Sequence, residues 1–597
     1  MSRTTAEPPA GLEELFGDPL SPDGAFTYES ILAADAQRRL VEPAETLLNQ
    51  WGFGAELVPV HLGGRWRSTE DLVRRLLPIF RRDLALGLGH GITTFMAAVN
   101  VWLRGDERSR HDLAARLLRG ERVAVCFHEL AHGNDLLQND CTATLVEDGP
   151  VRGWRIDGAK EVINNVERAE SALIFARTSD EPGPRSFSLL LWNKDASLAG
   201  GADTGRRVLT AGVRGCRLGV IEFDRLVVPE DALIGDVGDG AATALRAFQI
   251  TRPVVSALAV GTLDAATRLA VPYMRGRALY GDRVWDLPHA RLLLTRAWAA
   301  LLVADAFART AVRALHVRPD ESYLLSAAAK YLVPKLLNDA MYDLSVLFGS
   351  SFYTVTSPYG IFEKWFRDLE ILPIGHAGST SCLLSLIPYL PTWARRSRKS
   401  APYEAALFAA SADLGELPFA ELGLGAGRFD SVTAPLRDEA ITSALCSAHP
   451  SVARLVDRWV DELTALQDAA AALSPASLRS DASPEAFDLA RRLTGLMAVG
   501  ALLGSWHEGR VRETSPFSRS PVAVETALLR ISELLRPAAS DSSVPVPRSA
   551  PSRVRWPQHL ADAAAAHIAS ATDAGLSLGV EELVTTRPSH SSHERNP

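Results

Sequence analysis

Two histidines and a glutamate lie close together in a polar segment of the sequence, where His128-Glu129 is followed by His132. Imidazole nitrogens and a carboxylate are ligands that Zn²⁺ accepts, and this spacing can bring them together. A protein zinc site needs further ligands, and none is evident in the neighbouring sequence. We therefore predict that no metal binds here. Glu129 and Asp135 are of the residue types that cap turns.

Strand-like runs surround this segment. Residues 122–127 are rich in β-formers, residues 142–146 and 172–176 are apolar or β-branched, and residues 154–158 alternate. Turns that contain Gly and Asp separate these runs, which is typical of consecutive strands in one sheet. We predict an antiparallel sheet in which residues 128–135, the 128–135 loop, follow the first strand.

The 128–135 loop resembles the flavin-binding middle domain of the acyl-CoA dehydrogenase family, in which this turn reads Thr-Glu-Pro-x-x-Gly-Ser-Asp. The sequence keeps this pattern at Glu129, Gly133 and Asp135. It departs from the pattern at His128, Leu130 and Asn134. Further family motifs follow in the same order along the chain. They are a Trp-x-Ile-x-Gly-x-Lys strand at 154–160, a closing strand at 220–235, Thr-Arg-Pro at 251–253 and Arg-Asp at 367–368. Residues 277–281 read Arg-x-x-Tyr-Gly, which resembles the Arg-x-x-Phe-Gly of the family.

The resemblance spans residues 26–394 and implies an α+β fold. In that fold an N-terminal helical domain precedes a β domain, and a four-helix bundle follows. Apolar residues at helical spacing continue beyond residue 402, which indicates an additional helical region. The predicted domains are helical at 26–120, antiparallel β at 121–236, bundle at 240–398, additional helices at 402–585 and a disordered tail at 586–597, with a flexible linker at 538–547.

The resemblance also implies an FAD cofactor between the β domain and the bundle. Arg277 stands where the family has an arginine that reaches the flavin pyrophosphate of a neighbouring subunit, and Val162 replaces the tryptophan that packs on the flavin ring. The cofactor-binding residues that the resemblance implies are Phe127, His128, Gly133, Asn134, Val162, Asn164, Arg277, Tyr280 and Gly349. Thr251 and Arg252 are the predicted substrate-binding residues.

Most family members use a glutamate to remove a proton α to a thioester carbonyl. Counting from the Arg-Asp motif, His376 occupies the position of that glutamate. Other members carry the base on the first bundle helix, immediately before the arginine, and here that residue is Thr251. Neither position holds a carboxylate, and shifting the alignment by one residue does not supply one. His376 is therefore the candidate catalytic residue, because an imidazole titrates near neutral pH.

Three functions are compatible with this departure. The first is α,β-desaturation of an acyl thioester, on CoA or a carrier protein, with His376 as the altered base. The second is a flavin-dependent monooxygenase on the same fold, which needs no such base. The third is a catalytically silent subunit or binding protein that pairs with an active homologue. We predict the first, in a specialised biosynthetic pathway.

Composition narrows the setting of the protein. The chain has 597 residues and a net charge of −8, which argues against a nucleic-acid surface. The first residues lack an apolar run, so we predict no secretory signal, and no apolar run suggests a membrane span; residues 292–312 come nearest. Five cysteines without a CxxC motif favour a location in the reducing cytoplasm.

The family resemblance also implies partners. It implies a homodimer, a homotetramer or a mixed oligomer, with an electron-transfer flavoprotein or O₂ as the electron acceptor.

Overall fold

The computed structural model describes residues 11–21, 24–148, 151–399, 401, 403–410, 412–479, 481–513, 515–534 and 556–580. The predicted linker at 538–547 and the predicted tail at 586–597 lie outside the described residues. The described chain is helical at both ends and has a sheet between them.

Helices occupy the chain before the sheet. Helix α5 illustrates why they form: the Ser68 side chain accepts a hydrogen bond from the N–H of Asp71, and Leu72 and Leu76 are buried on one face. Between α6 and α7, Leu88–Ile92 forms a π-helical turn. The helices in the described part of this region are α1 (Leu12–Phe16), α2 (Tyr28–Ala36), α3 (Glu42–Trp51), α4 (Phe53–Glu56), α5 (Thr69–Arg82), α6 (Leu84–Gly87), α7 (Thr93–Arg104) and α8 (Glu107–Leu118).

A single large sheet follows. Its order is β6-β7-β3-β2-β4-β5-β8, and β1 pairs with β4. Strand β4 is buried on both faces: Leu173 and Phe175 contact the helices, while Ala172 and Ile174 belong to a second core. The strands are β1 (Val123–Cys126), β2 (Thr142–Asp148), β3 (Val151–Asn164), β4 (Ser171–Arg177), β5 (Phe187–Asn193), β6 (Ala199–Asp203), β7 (Leu218–Pro229) and β8 (Leu233–Ile234).

The predicted antiparallel arrangement is wrong for one part of the sheet, which is mixed. Strand β1 runs parallel to β4, with Val123 opposite Ser171, and Thr142 of β2 is a parallel partner of Arg177. Strands β1 and β2 therefore occupy the same edge of β4 in succession. The chain leaves this edge between them as the 128–135 loop and rejoins it without reversing direction, which is why both pairs are parallel.

Helices α9, α10 and α11 pack against one another, and α14 packs on α11 to complete the bundle. Helices α5 and α7 contact α9 and join the N-terminal helices to the bundle. The elements of this region are α9 (Gly240–Gly276), β9 (Ala278–Leu279), β10 (Asp282–Arg283), α10 (Pro288–Val317), α11 (Ser322–Phe348), α12 (Ser350–Tyr353), α13 (Gly360–Leu369), α14 (Ser379–Leu386) and α15 (Leu390–Ser397).

The sequence-based prediction of which apolar run comes nearest to a membrane span is wrong. Leu84–Arg104 and Gly240–Gly276 are long and apolar enough to cross a membrane by length and composition, whereas residues 292–312 were expected to come nearest. In the fold, 89% and 94% of their apolar windows are buried inside the protein. A helix surrounded by other elements is apolar on all sides, which explains the composition.

Further helices cover the bundle on the side of α10. Helices α19, α21 and α22 pack against α10. Trp298 Nε1 donates to the Leu578 carbonyl at 2.9 Å, and Arg275 forms an ion pair with Asp573 at 2.8 Å. The helices that the structure describes here are α16 (Ala434–Arg437), α17 (Glu439–Ala448), α18 (Ala453–Ala471), α19 (Pro484–Val511), α20 (Pro516–Arg519), α21 (Pro521–Leu534) and α22 (Gln558–Asp573).

A buried ionic cluster joins the three regions that precede this addition. Lys364 Nζ lies 2.5 Å from Asp83 of the N-terminal region and 2.7 Å from Asp368 of α13. Asp368 Oδ1 also accepts a hydrogen bond from the N–H of Val213 at 2.6 Å, which reaches the β region. Asp368 of the Arg-Asp motif therefore has a structural role here. The Lys364 cluster (Asp83, Lys364 and Asp368) joins the helices to the β region.

A second polar contact joins the bundle to the C-terminal addition. Both the N–H and the hydroxyl of Ser431 donate to the Glu321 carboxylate at 2.8 Å, and Arg318 lies 2.7 Å from it. Burial raises the pKa of Glu321 to about 7, despite these contacts. The acid is therefore protonated more readily in the folded than in the unfolded chain.

We expect stability to depend on pH through Glu321. Because its folded pKa is raised, its stabilising contribution is present below pH 4.5 and is lost as the pH rises through 7. Between pH 5 and pH 8 the wild type should lose about 2–3 kcal/mol of unfolding free energy relative to Glu321→Gln. Denaturation of both proteins at the two pH values measures this difference. Identical pH dependence in the two proteins would remove Glu321 from this role.

Candidate functional site

Helix α9 places Thr251 and Arg252 inside the protein, where both are buried. The Thr251 hydroxyl donates to the Ala247 carbonyl at 3.1 Å. Pro253 follows within the same helix, and its missing N–H interrupts the hydrogen-bond ladder at this point. The two predicted substrate-binding residues therefore lie in the first half of α9, next to the residue that lacks this N–H.

The loop between α13 and α14 faces this turn. His376 Nε2 lies 2.6 Å from Thr251 Oγ1, and the imidazole meets the Phe248 ring edge to face at 4.7 Å. His376 and Ala377 have φ values of +53° and +69°, a left-handed conformation that is unfavourable for side-chain-bearing residues. The two positions at which the family carries its carboxylate base thus lie side by side.

The hydrogen bonds determine the tautomer of His376. Thr251 has one hydroxyl proton, and its bond to the Ala247 carbonyl uses that proton. Both bonds of Thr251 can form together only if His376 carries its proton on Nε2 and donates it to the hydroxyl oxygen. Nδ1 is then the basic nitrogen of the ring, and it has no hydrogen-bond partner among the described residues.

The charges around His376 oppose its protonation. Burial lowers its pKa to about 3, with further contributions from the Lys330 and Arg252 cations. Burial likewise lowers the pKa of Lys330 to about 8. At neutral pH His376 is therefore a neutral imidazole beside positive charge.

The 128–135 loop is closed by a buried ion pair. Glu129 Oε1 lies 2.7 Å from Lys160 Nζ, and Glu129 Oε2 accepts a hydrogen bond from the N–H of Asp140 at 2.8 Å. Gly133 adopts φ +57° and its N–H donates to the Glu129 carbonyl at 2.9 Å. Glu129 therefore fixes the loop that leaves the sheet after β1, as a turn-capping residue.

The two loop histidines point to different partners. His128 Nδ1 donates to the Glu161 carbonyl at 3.1 Å, whereas His132 Nε2 lies 2.9 Å from Asp140. The grouping of His128 with Glu129 and His132 that the spacing suggested does not form. Glu129, His132 and Asp140 do come within 4.8 Å of one another, but Lys160 already neutralises Glu129. The absence of a metal here stays a prediction.

The predicted flavin residues on the sheet side lie near the bundle. Phe127 is buried against Phe175 with ring centroids 5.5 Å apart. Asn134 approaches the His376 loop, because a Cβ at Gly378 would lie 2.8 Å from Asn134 Nδ2. The 128–135 loop and the His376 loop therefore meet at one edge of the site.

Val162 and Asn164 lie at an irregularity of β3. The register of β3 with β7 shifts between Lys160 and Ile163, and Val162 adopts φ +59°, which is rare for a β-branched residue. Asn164 Nδ2 donates to the Leu88 carbonyl and to Thr93 Oγ1 at 2.9 Å each. Its amide oxygen is buried without a partner among the described residues.

Arg277, Tyr280 and Gly349 lie at the other end of the bundle and are exposed. Arg277 follows α9, so it lies about 39 Å from Thr251 along the helix axis at ~1.5 Å per residue. The Tyr273 hydroxyl donates to the Phe348 carbonyl at 2.9 Å, which holds Gly349 near the same end. These residues do not join the Thr251–His376 site within one chain. That Arg277 serves the cofactor of a neighbouring subunit stays a prediction.

Sequence reasoning missed two residues of this site. Phe248 contacts both His376 and the Arg252 guanidinium, which lies 5.0 Å above its ring. Lys330 is buried on α11 and donates to the Leu372 carbonyl in the segment before His376. The only available signal was an isolated lysine within the apolar run of residues 327–333.

Comparisons with known proteins agree with this geometry. The family model "Acyl-CoA dehydrogenase, C-terminal domain" matches residues 238–388. The chain is 27% identical over 349 residues to "Probable acyl-CoA dehydrogenase fadE25" of Mycobacterium leprae (strain TN), which covers 57% of this chain and 86% of the relative. The expected superfamily resemblance and the α+β fold class are confirmed.

Two solved structures have the same fold. The "Prolyl Acyl Carrier Protein Oxidase AnaB" gives a TM-score of 0.53 at 18% identity and covers 61% of this chain and 92% of its own. The "FAD complex of PigA" gives a TM-score of 0.53 at 18% identity, with coverage of 60% and 94%. At this level of identity the two structures show the shared fold.

Proposed function

On the basis of its similarity to acyl-CoA dehydrogenases, we propose that this chain desaturates an acyl thioester between its α and β carbons, with His376 as the base. The thioester is carried on CoA or on a carrier protein. The observation that carries the proposal is the 2.6 Å contact between Thr251 and His376, which joins the two positions of the family base.

The residues present fit FAD. The Asn164 amide oxygen is buried without a partner among the described residues, and the flavin ring has an N–H to donate. Arg277 is an exposed guanidinium at the family position for the pyrophosphate, and its fork pairs with phosphate oxygens. Val162 offers an aliphatic surface in place of an aromatic one. When bound, FAD supplies the acceptor for a hydride from the β carbon.

The chain's own residues handle the proton. Thr251 holds the His376 ring with Nδ1 unprotonated, and this nitrogen takes the α proton as the α C–H bond breaks. The electron pair of that bond forms the new C=C bond, while the β hydrogen leaves with its own pair. Thr251 and Phe248, the two residues that contact the imidazole, are buried, whereas His376 itself is half-buried.

The test begins with the visible absorption spectrum of the purified protein before and after addition of FAD. We expect flavin bands near one FAD per chain and their bleaching by an acyl thioester under anaerobic conditions. NAD(P)H-dependent oxygen uptake without bleaching by thioesters would favour a monooxygenase. A colourless protein that takes up no FAD would leave a silent subunit or binding protein.

The setting is part of the proposal. We place the protein in the cytoplasm, in a specialised biosynthetic pathway, as a homo-oligomer or mixed oligomer in which Arg277 reaches a neighbouring cofactor. An electron-transfer flavoprotein or O₂ reoxidises the flavin. Comparing the reoxidation rate with each acceptor separates a dehydrogenase from an oxidase.

A further inference from the structure

Arg252 and Lys330 are buried cations beside His376, each only 2% exposed. The Arg252 guanidinium forms no ion pair and no side-chain hydrogen bond with any described residue, and its Nε is shielded from solvent. The guanidinium lies over the Phe248 ring, 5.0 Å from its centroid. Lys330 donates to the Leu372 carbonyl, a neutral acceptor.

Carboxylates are absent from this part of the described structure. The charged or titratable groups that act on Lys330 are the Cys382 thiol and Arg252, and those that act on His376 are Lys330 and Arg252. Other buried lysines differ from Lys330 in this respect. Lys160 is paired with Glu129, and Lys364 is paired with two aspartates.

The sequence explains why positive charge near His376 has no carboxylate partner among the described residues. The family resemblance implies a carboxylate at one of the two positions that are Thr251 and His376 here, whereas this chain has two uncharged residues there beside Arg252 and Lys330. Burying charge without a counter-charge is unfavourable, and proteins retain such charge where a ligand compensates it. The missing negative charge must therefore arrive with a ligand.

We infer that Arg252 and Lys330 bind a carboxylate on the acyl chain, so that the substrate is the thioester of a dicarboxylic acid. This inference rests on the proposed function and names its substrate class. A carboxylate suits the pair because it accepts two parallel hydrogen bonds from a guanidinium and a further one from an ammonium group. Its charge also offsets the field that weakens His376 as a base.

Equilibrium binding of paired thioesters to the FAD-loaded protein tests this inference. Glutaryl-CoA is compared with pentanoyl-CoA, and adipyl-CoA with hexanoyl-CoA, by calorimetry. The members of each pair differ only at the end of the acyl chain, so the contribution of the CoA charges cancels in the ratio of their affinities. We expect the wild type to bind each dicarboxylyl thioester at least 100-fold more tightly. The ratio should fall below 10-fold in Arg252→Gln and in Lys330→Met.

Arg268→Gln is the matched control, because Arg268 lies on the same helix but is paired with Asp264 at 2.9 Å. It should keep the wild-type ratio. Equal affinities of the paired thioesters in the wild type, or a ratio that neither site variant changes, would overturn the inference. If free CoA loses as much affinity in Arg252→Gln as the dicarboxylyl thioesters do, the anion that Arg252 binds lies on CoA rather than on the acyl chain. That result would also overturn the inference. Tight dicarboxylyl binding without flavin reduction would support this inference and refute the proposed desaturation.

Discussion

Replacement of His376 by alanine is expected to slow thioester-dependent flavin reduction by about 10²–10⁴-fold, the usual contribution of a general base. The variant should still bind FAD, because no flavin contact is assigned to His376. Rapid mixing under anaerobic conditions measures the reduction step directly, and the absorption spectrum reports flavin content. Turnover at the wild-type rate in this variant would remove His376 from the mechanism.

Thr251→Val is the companion variant. It keeps the shape of the side chain but removes the hydroxyl that accepts from His376 Nε2. We expect a smaller loss of rate, about 10-fold, because the imidazole stays in place but its tautomer is no longer fixed. A Thr251→Val rate equal to that of the wild type would show that the 2.6 Å contact does not orient the base.

The electrostatic field at His376 links the proposed base to the proposed class of substrate. Burial, with smaller contributions from Lys330 and Arg252, lowers its pKa to about 3, well below the values at which general bases are effective. In the proposed complex, an anionic acyl chain beside Arg252 and Lys330 would offset the part of this lowering that the two cations cause. We therefore expect proton abstraction to depend on the acyl chain, since a neutral chain leaves the charges of Arg252 and Lys330 uncompensated.

The sequence predicted the parts of this site but not their electrostatics. Thr251 and His376 were singled out by counting from separate motifs, and the fold brings them together across 125 residues. Lys330 was not predicted, because a lysine within an apolar helical run looks the same whether or not it has a partner. Only packing shows that no described carboxylate reaches it.

The strand directions in the sheet and the position of Arg277 also could not be predicted from sequence patterns. Alternation and turn residues predicted where β1 and β2 lie, but not that both pair in parallel with β4, because periodicity contains no information about strand direction. Arg277 was identified from its motif alone. Its distance of about 39 Å from Thr251 depends on the uninterrupted length of α9, despite Pro253 and Pro272 within that helix.

Lys364→Met is expected to destabilise the protein by about 3–5 kcal/mol, the usual cost of removing one partner from a buried ionic cluster. The substitution leaves Asp83 and Asp368 buried and close together without their shared cation. Thermal or chemical denaturation measures the loss. The effect should spread beyond the bundle, because this cluster also joins the N-terminal helices and the Val213 segment.

The charge balance makes this prediction specific. The two carboxylates hold the pKa of Lys364 above its ordinary value, and burial raises the pKa of Asp368. Without Lys364, buried Asp368 should be protonated more readily in the folded than in the unfolded state, so the loss of stability should shrink as the pH falls. Adding Asp83→Asn removes one unpaired charge and should restore part of the stability. A deficit that is independent of pH and unaffected by Asp83→Asn would mean that packing of the lysine chain, rather than its charge, stabilises the junction.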